Sequence, residues 1–379
     1  MNIYEKAVKL HKDNRGKLEV KSKIQIKDKT DLSLAYSPGV AEVSRLISQN
    51  KEYSYTHTMK GNTIAVISDG SAILGLGNLG PLAALPVMEG KCILFKEFAN
   101  VDAIPICLDT QDSEEIIKTI KYLAPNFGGI NLEDISSPRC FEIEERLKRE
   151  LDIPVMHDDQ HGTATVVLAG LINALSLKGI TKQEAKIVIN GAGAAGLAIS
   201  DLLVKYGFSN LIIVDSMGAI YEGRNDLNSD KEKLAKITNR KKEKGLLQDV
   251  IKGADIFIGV SRGKVLTKDM IFSMREKPVI FALANPEPEI MPEEAKAAGA
   301  FIIATGRSDY PNQINNVLAF PGIFRGALDN KVAQITDDML IQAAKNLASL
   351  VNNPTSNEIL PNPFDARVAI AVSQAIKVL

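Results

Sequence analysis

Two pairs of acidic residues, each directly after an apolar segment, could bind a metal ion. Glu133 and Asp134 follow the apolar segment GGINL, and Asp158 and Asp159 follow the apolar segment IPVM. If both segments are neighbouring parallel strands, the four carboxylates meet at the edge where open α/β sheets bind ligands. Carboxylates in one cleft repel each other unless a cation neutralises them, and oxygen ligands suit Mg²⁺ or Mn²⁺. The same residues could instead be solvated loop acids or helix N-caps, so their spacing leaves both interpretations open.

A glycine-rich turn predicts a dinucleotide site. The strand-like segment AKIVIN precedes GAGAAG, and the helix-like segment LAISDLLVKYG follows it. In this context the glycines allow a tight turn and a close approach to a pyrophosphate, which the helix N-terminus also attracts. Asp215 ends the next predicted strand, at about the distance where an acidic residue binds ribose hydroxyls. The predicted cofactor residues are Gly191, Ala192, Gly193, Ala194, Ala195, Gly196 and Asp215.

Other polar residues could do chemistry, but each has a commoner structural use. Lys91 precedes the predicted strand Cys92–Phe95, and a lysine in a cleft can act as a general base when its pKa is lowered. Tyr36 precedes a Ser-Pro-Gly turn. Asn285 and the pair Asn315-Asn316 lie in loops that could line a cleft. Most lysines are surface groups and most loop asparagines form turns, so residue type alone assigns no role here.

The segments that must position these residues alternate between strand and helix. Besides the strands named above, the predicted strands are Asn62–Ile67, Ala103–Leu108, Gly129–Leu132, Ile153–Met156, Asp255–Val260, Val279–Leu283 and Ala300–Ala304. Such alternation predicts βαβ units and doubly wound sheets. The apolar stretch Thr163–Leu177 predicts a long helix between two sets of strands. We therefore expect an α/β protein with an N-terminal α/β substrate and metal domain over residues 1–160. A Rossmann-type, doubly wound dinucleotide-binding domain is expected over residues 161–379.

The composition of the chain argues against several classes of protein. The 379 residues include 45 Lys and Arg against 46 Asp and Glu, a net charge of −1, which argues against nucleic acid or an anionic membrane as the main partner. Three cysteines without a CxxC pair predict neither a disulfide framework nor a cysteine-based zinc site. The N-terminus lacks the apolar core of a signal peptide, and no apolar run is long enough to span a membrane. We expect a cytoplasmic protein.

Taken together, the motifs resemble the malic enzyme family, in particular its compact bacterial and archaeal members, over nearly the whole chain. The segments that carry the resemblance are SLAYSPGVAE, ILGLGNLG, EGKCILFKEFANVDAIP, INLEDISSPRCFEIE, HDDQHGTA, GAGAAG, ANPEPEI and NNVLAFPG. The resemblance implies oxidative decarboxylation of (S)-malate to pyruvate and CO₂ with NAD or NADP and Mg²⁺ or Mn²⁺. It also implies decarboxylation of oxaloacetate and a homodimeric assembly.

The resemblance implies roles for individual residues of this chain. Lys91 matches the general base, Tyr36 the general acid and Asp158 the acid beside the lysine. The matching metal ligands are Glu133, Asp134 and Asp159, and the matching contacts to substrate and nicotinamide are Lys91, Asn285, Asn315 and Asn316.

One position departs from the family pattern. The large eukaryotic-type members carry an Arg before ILGLG that holds a substrate carboxylate, and Ala72 stands there in this chain. The carboxylate must therefore be held by other groups. Candidates are Ser71, the backbone N–H groups of residues 75–80 and the Asn315-Asn316 loop.

The loop after Asp215 predicts the cofactor. A carboxylate at this position accepts hydrogen bonds from ribose hydroxyls and repels a 2′-phosphate, which an NADP site usually binds with a nearby cation. No Lys or Arg occurs within residues 216–222, and Arg224 is the nearest cation in sequence. The sequence therefore predicts a preference for NAD, with NADP as the alternative.

Two other classes of protein are compatible with part of the pattern. A metal-independent amino-acid dehydrogenase also places a substrate domain before a nucleotide domain, but it would have no use for the carboxylate cluster. A non-catalytic nucleotide-sensing protein could lose its catalytic groups, yet Tyr36, Lys91 and the three candidate ligands are all present. Malate decarboxylation is the favoured interpretation.

Overall fold

A four-stranded parallel sheet forms the centre of the first half of the chain. The computed structural model, which describes residues 1–378, orders its strands β2-β1-β3-β4. Their bounds are β1 (Thr63–Ser68), β2 (Asp102–Cys107), β3 (Gly129–Leu132) and β4 (Val155–His157). Every residue of β1 is buried, as expected for a parallel strand covered on both faces. Because the strands are parallel, the residues that follow β3 and β4 emerge at one edge.

Helices cover both faces of this sheet. The helices of the first half are α1 (Ile3–Asn14), α2 (Lys29–Ala35), α3 (Val40–Gln49), α4 (Tyr53–His57), α5 (Pro81–Ala99), α6 (Ser113–Leu123) and α7 (Arg139–Glu150). Met88 and Phe95 of α5 pack on one face of the sheet, and Ile116 of α6 and Ile143 of α7 pack on the other. Helices α1 to α4 contain no buried residue.

The second half contains a six-stranded sheet of order β10-β9-β8-β5-β6-β7, in which only the short β7 is antiparallel. Its strands are β5 (Lys186–Asn190), β6 (Asn210–Asp215), β7 (Gly218–Ala219), β8 (Ile256–Gly259), β9 (Val279–Ala282) and β10 (Ile302–Thr305). The remaining helices are α8 (Asp158–Lys178), α9 (Ala194–Tyr206), α10 (Ser229–Ala235), α11 (Leu247–Val250), α12 (Lys268–Phe272), α13 (Pro292–Ala297), α14 (Phe320–Asp329), α15 (Asp337–Ser349) and α16 (Arg367–Ser373). The predicted α/β class with a Rossmann-type second half is confirmed.

Helix α8 connects the two sheets. It begins directly after β4 and is buried along most of its length, which explains why its sequence is apolar on all sides. It ends where Gly179 adopts the left-handed conformation that commonly terminates helices. The domain boundary predicted near residue 160 falls in the first turn of α8 and stays a prediction.

The predicted strand Cys92–Phe95 is wrong, because these residues belong to the long helix α5. A short apolar run fits a buried strand and a buried helical segment equally well, so its periodicity could not distinguish them. The consequence matters for the site, since Lys91 projects from the middle of a helix rather than from a strand end. The other predicted strands are present, with ends shifted by at most a few residues. Within residues 1–378, every helix is too short or too polar to cross a membrane.

Candidate active site

Lys91 lies at the centre of a buried cluster of charges. Its ammonium nitrogen is 2.5 Å from Oδ2 of Asp158 and 3.0 Å from Oε1 of Glu133, and it lies 4.5 Å from the centroid of the Phe320 ring. Only 12% of the lysine side chain is exposed, and the two carboxylates are almost fully buried. Helix α5 packs its apolar face on the sheet, which directs Lys91 towards the carboxyl ends of β3 and β4.

The charges around Lys91 determine its protonation state. Burial favours the neutral amine, but the charges of Asp158 and Glu133 outweigh burial and raise the pKa of Lys91 above its usual value. Burial also raises the pKa of Glu133 well above the usual value, against the opposing effect of Lys91. Burial raises the pKa of Asp158 to about 6, although Lys91 again opposes the shift. One ammonium therefore compensates only part of the negative charge in this cluster.

Three carboxylates beside Lys91 fit a divalent cation. Glu133, Asp134 and Asp159 each offer an oxygen, and these oxygens all lie within 4.8 Å of one another. Oδ2 of Asp134 is buried and has no hydrogen-bond partner among the described residues. Burial and the charge of Asp159 raise the pKa of Asp134 to about 7. Three oxygens held close together, one of them unpartnered, match the ligands that Mg²⁺ and Mn²⁺ prefer.

The loop that contains Ala72 is hydrogen-bonded to Asp134, one of the three candidate metal ligands. The Ala72 N–H donates to the carbonyl of Asp134 at 2.9 Å. Arg139, which was not predicted from the sequence, donates from Nη2 to Ser71 Oγ at 3.0 Å, and its Nη1 is 2.8 Å from Oδ2 of the buried Asp69. Ser71 Oγ itself donates to Asp69 at 2.6 Å. Ser71 is therefore committed to an internal network, which weakens its case as the carboxylate-binding group.

Another buried carboxylate, Glu144, holds the segment that supplies Asp158 and Asp159. Its Oε1 accepts the backbone N–H of His157 at 3.0 Å and lies 2.8 Å from Lys148 Nζ. The ring of His161 lies 3.0 Å away. Burial opposes ionisation, but His161 and Lys148 outweigh it and hold the pKa of Glu144 well below its usual range. The sequence did not reveal this role, because His157 and His161 come from other elements of the fold.

The dinucleotide turn has the predicted geometry. Gly191 has φ +121°, and a Cβ there would lie 2.6 Å from the carbonyl oxygen of Val260. A Cβ at Gly196 would lie 1.8 Å from the carbonyl oxygen of Gly191. Both positions therefore require glycine, and α9 starts at Ala194 with its N-terminus at the turn. A cleft of about 720 Å³ beside the turn is lined by Gly191 and Asp215, among other residues.

Two cations from the segment after Asp215, Arg224 and Lys231, lie beside its carboxylate. Arg224 donates to both oxygens, at 2.9 Å and 2.5 Å, and Lys231 Nζ donates to Oδ2 at 2.7 Å. Burial would raise the pKa of Asp215, but these hydrogen bonds outweigh burial and lower it to about 2. Residues 216–222 contain no cation, but the chain folds back after them and brings Arg224, and also Lys231 of α10, to the end of β6.

Two of the predicted asparagines lie where the halves of the molecule approach each other. A Cβ at Gly75 would lie 2.8 Å from the carbonyl oxygen of Asn285, so the loop after β9 touches the loop after β1. A Cβ at Gly162 would lie 3.3 Å from Cβ of Asn316, which places Asn316 beside the first turns of α8. Asn315 instead uses Oδ1 to accept the N–H of Val317 at 2.9 Å, a capping contact.

Tyr36 is not brought to this cluster. Its side chain is 69% exposed at the end of α2, and its hydroxyl makes no hydrogen bond within the part of the chain that the structure describes. The structure thus brings together five of the predicted residues, Lys91, Glu133, Asp134, Asp158 and Asp159, and leaves Tyr36 outside.

Comparisons with known proteins cover both halves of the chain. Residues 15–148 match the family model "Malic enzyme, N-terminal domain", and residues 160–379 match "Malic enzyme, NAD binding domain". A bifunctional malic/malolactic enzyme of Bacillus subtilis is 57% identical over 379 residues, or 99% of this chain and 92% of that relative. An NADP-dependent malic enzyme of Rhizobium meliloti is 48% identical over 98% of this chain and 51% of that longer relative. The crystal structure of an NAD-dependent malic enzyme from Thermotoga maritima has a TM-score of 0.95 at 50% identity and covers 98% of both chains.

Proposed function

Because the chain belongs to the malic enzyme family, we propose that it oxidatively decarboxylates malate to pyruvate and CO₂ with reduction of NAD or NADP. The observation that carries this proposal is the buried Lys91–Asp158 pair beside three carboxylates, at the carboxyl edge of the first sheet. Neither an amino-acid dehydrogenase nor a nucleotide sensor is favoured by the family matches, and neither would need this cluster.

Glu133, Asp134 and Asp159 would hold Mg²⁺ or Mn²⁺ in this site. When bound, the cation polarises the oxygens of the substrate and offsets the negative charge that now raises the pKa of Lys91. Asp134 suits this role because one of its oxygens is buried without a partner.

We assign the proton transfers of the reaction to Lys91 and Tyr36. The Lys91 amine accepts the proton of the C2 hydroxyl, and Asp158, 2.5 Å away, orients that amine. The glycine turn at residues 191–196 would hold a nicotinamide cofactor, which would supply the hydride acceptor for C2. After CO₂ leaves, C3 of the enol must gain a proton, and we assign this donation to Tyr36. The ring of Phe320 covers Lys91 and keeps bulk water from the amine. We assign contacts with substrate and nicotinamide to Asn285, Asn315 and Asn316.

For the cofactor we propose NAD, with NADP accepted less well. The Asp215 carboxylate at the end of β6 can accept hydrogen bonds from ribose hydroxyls, which favours NAD. Its ion pairs with Arg224 and Lys231 weaken its repulsion of a 2′-phosphate, so the discrimination should be smaller than the sequence suggested. The homodimer and the cytoplasmic location remain predictions.

A second activity is suggested by the name of the Bacillus subtilis relative, a bifunctional malic/malolactic enzyme. We propose that this chain can also convert malate to lactate and CO₂. In that reaction a nicotinamide held beside the glycine turn would supply the hydride for C2 of pyruvate, and the Lys91 ammonium would return the proton to the C2 oxygen. No net oxidation occurs, so lactate would form without accumulation of reduced cofactor.

Initial rates of malate oxidation, measured with each cofactor and with either Mn²⁺ or excess EDTA, test the proposed function. Analysis of the products shows whether lactate forms as well. Lys91→Ala should lower malate oxidation by roughly 10²- to 10⁴-fold, the usual contribution of a general base. Lys96→Ala is the matched control, because Lys96 lies on the same helix but is half exposed and contacts Asp102. The control should keep most of the activity. A Lys91→Ala enzyme with the wild-type rate, or full activity in EDTA, would refute the assignment.

A further inference from the structure

Glu289 is a fully buried carboxylate to which the proposed mechanism gives no role. It lies in the loop after β9, where its Oε1 accepts the backbone N–H of Ser261 at 3.0 Å and its Oε2 accepts that of Ala284 at 3.1 Å. Burial raises the pKa of Glu289, and these N–H groups oppose the shift. Because both oxygens accept a hydrogen bond, whereas a protonated oxygen would have to donate one, the arrangement fits the ionised form.

The two N–H groups that Glu289 accepts come from the ends of two neighbouring strands. Ser261 follows β8 and Ala284 follows β9. A Cβ at Gly259, the last residue of β8, would lie 2.3 Å from Cδ of Glu289, so the carboxyl group packs directly on the strand and this position requires glycine. Glu289 therefore fastens two loops to each other at the carboxyl edge of the second sheet, where open α/β sheets bind their ligands.

The loop after β8 belongs to the cofactor cleft. Ser261 lines this cleft together with Gly191 and Asp215. The Ser261 hydroxyl oxygen also accepts a side-chain N–H of Asn190 at 2.7 Å, and Asn190 directly precedes the glycine turn. Ser261 is therefore attached to the cofactor cleft by a second hydrogen bond that does not involve Glu289.

The loop after β9 instead faces the candidate metal site of the first half. The carbonyl oxygen of Asn285 lies 2.8 Å from the position that a Cβ at Gly75 would take. Next to Gly75, the Leu74 N–H points at Oδ1 of Asp134, one of the three candidate metal ligands, at 3.4 Å. Asn285 directly follows Ala284, whose N–H donates to Glu289. The position of Asn285 relative to the cofactor cleft therefore depends on this carboxylate.

We propose that Glu289 is a positioning residue, which fixes Asn285 beside the cofactor cleft so that Asn285 can contact the nicotinamide half of the dinucleotide and the substrate. This inference rests on the proposed function, which assigns those contacts to Asn285. If Glu289 loses one acceptor oxygen, the loop after β9 loosens more than the loop after β8, because Ser261 keeps its hydrogen bond with Asn190. Binding of the nicotinamide half then weakens, whereas binding of the adenosine half in the cleft is kept.

Glu289→Gln tests this role, because it keeps the size of the side chain but replaces one acceptor oxygen with an NH₂ group. Titration calorimetry without malate measures the dissociation constants of NADH and of ADP-ribose, which lacks the nicotinamide. The ratio of the constant for NADH to that for ADP-ribose should rise roughly 3- to 10-fold, the effect of one lost hydrogen bond. Glu287→Gln is the matched control, because Glu287 lies in the same loop but is exposed and pairs with Lys264. The control should keep the wild-type ratio.

A double variant separates positioning from a general loss of structure. If Glu289 acts through Asn285, Glu289→Gln should no longer change the ratio in an Asn285→Ala background, because the contact that it positions is already absent. A merely structural role would weaken binding of both ligands alike and would do so in both backgrounds.

Three results would overturn the inference: an unchanged ratio in Glu289→Gln, equal weakening of NADH and ADP-ribose, or the same rise of the ratio in the Asn285→Ala background. Should Glu289→Gln not fold, Glu289→Asp is measured in the same way, since it keeps the charge but is too short to reach both N–H groups, and the same results decide. A wild-type protein that binds NADH but does not oxidise malate would instead refute the proposed function. The two failures are distinguishable, because the binding measurements need no malate.

Discussion

Lys91 shows how a single side chain depends on the charges around it. Four carboxylates surround one ammonium, and Lys91 contacts two of them directly. Their summed effect raises the pKa of Lys91, although a general base must be able to lose its proton. A cation held by Glu133, Asp134 and Asp159 would remove this obstacle by compensating the same carboxylates. The metal site and the base are therefore one electrostatic unit.

Lys231 provides a residue-scale test of cofactor choice. Lys231→Ala leaves Asp215 paired only with Arg224, so the carboxylate should repel a 2′-phosphate more strongly. The ratio of kcat/KM for NADP to kcat/KM for NAD should fall by about tenfold, the effect of about 1.4 kcal/mol. Lys233→Ala is the control, because Lys233 lies on the same helix but pairs with Asp230 and is largely exposed. An unchanged ratio in Lys231→Ala would show that Lys231 does not face the 2′ position.

At the scale of elements, Glu144 joins α7 to the junction between β4 and α8. Glu144→Gln should destabilise the protein by about 3 kcal/mol at pH 7, because the partly buried Lys148 and His161 lose their buried anionic partner. The folded pKa of Glu144 is depressed, so its stabilisation is present above the unfolded pKa of about 4.3 and is lost as the pH falls towards the folded value. Urea unfolding should therefore show a smaller difference from wild type at pH 4 than at pH 7.

Glu145→Gln is the matched control for this experiment, since the neighbouring Glu145 is exposed and pairs only loosely with Arg149. Its free energy of unfolding should stay close to wild type at both pH values. Equal destabilisation by the two substitutions would show that Glu144 is no special link between these elements.

The elements differ in how far the sequence could predict them. Buried parallel strands such as β1 and β3 are continuous apolar runs between turns, and this pattern located them closely. The run Cys92–Phe95 has the same composition but lies in a helix, because its neighbours along α5 also pack on the sheet. The carboxylate site could be predicted because its ligands directly follow strands. The roles of Glu144 and Arg139 could not, because His157, His161, Ser71 and Asp69 come from other elements and only the folded chain brings them together.

In the whole molecule, the two halves of the chain pack against each other beside the carboxylate cluster. Helix α8 runs from the metal-site candidate of the first half into the second half, and Phe95 of α5 packs edge-on against Phe320 and Phe324 of α14. The carboxylate cluster therefore sits where the two halves meet. A ligand that relieves repulsion in this cluster should stabilise the folded state of the molecule, and not only the loops that contact it.

Mn²⁺ should accordingly raise the melting temperature of the protein, and the rise should grow with pH. Protons and the metal ion compete for the same carboxylates, and Asp134 has its pKa raised to about 7 by burial and by Asp159. Because this folded pKa lies above the unfolded value, ionisation of Asp134 costs stability as the pH rises through 7, and the cation recovers that cost. At a hundredfold excess over its dissociation constant, the metal should contribute about 2.7 kcal/mol, a shift of several degrees.

Differential scanning fluorimetry of wild type between pH 5.5 and 8 measures the effect, and Asp159→Asn should abolish it. The exposed Asp152, at the amino end of β4, supplies the control Asp152→Asn, which should respond like wild type. A metal-induced shift that is independent of pH, or one that survives in Asp159→Asn, would show that the ion binds elsewhere.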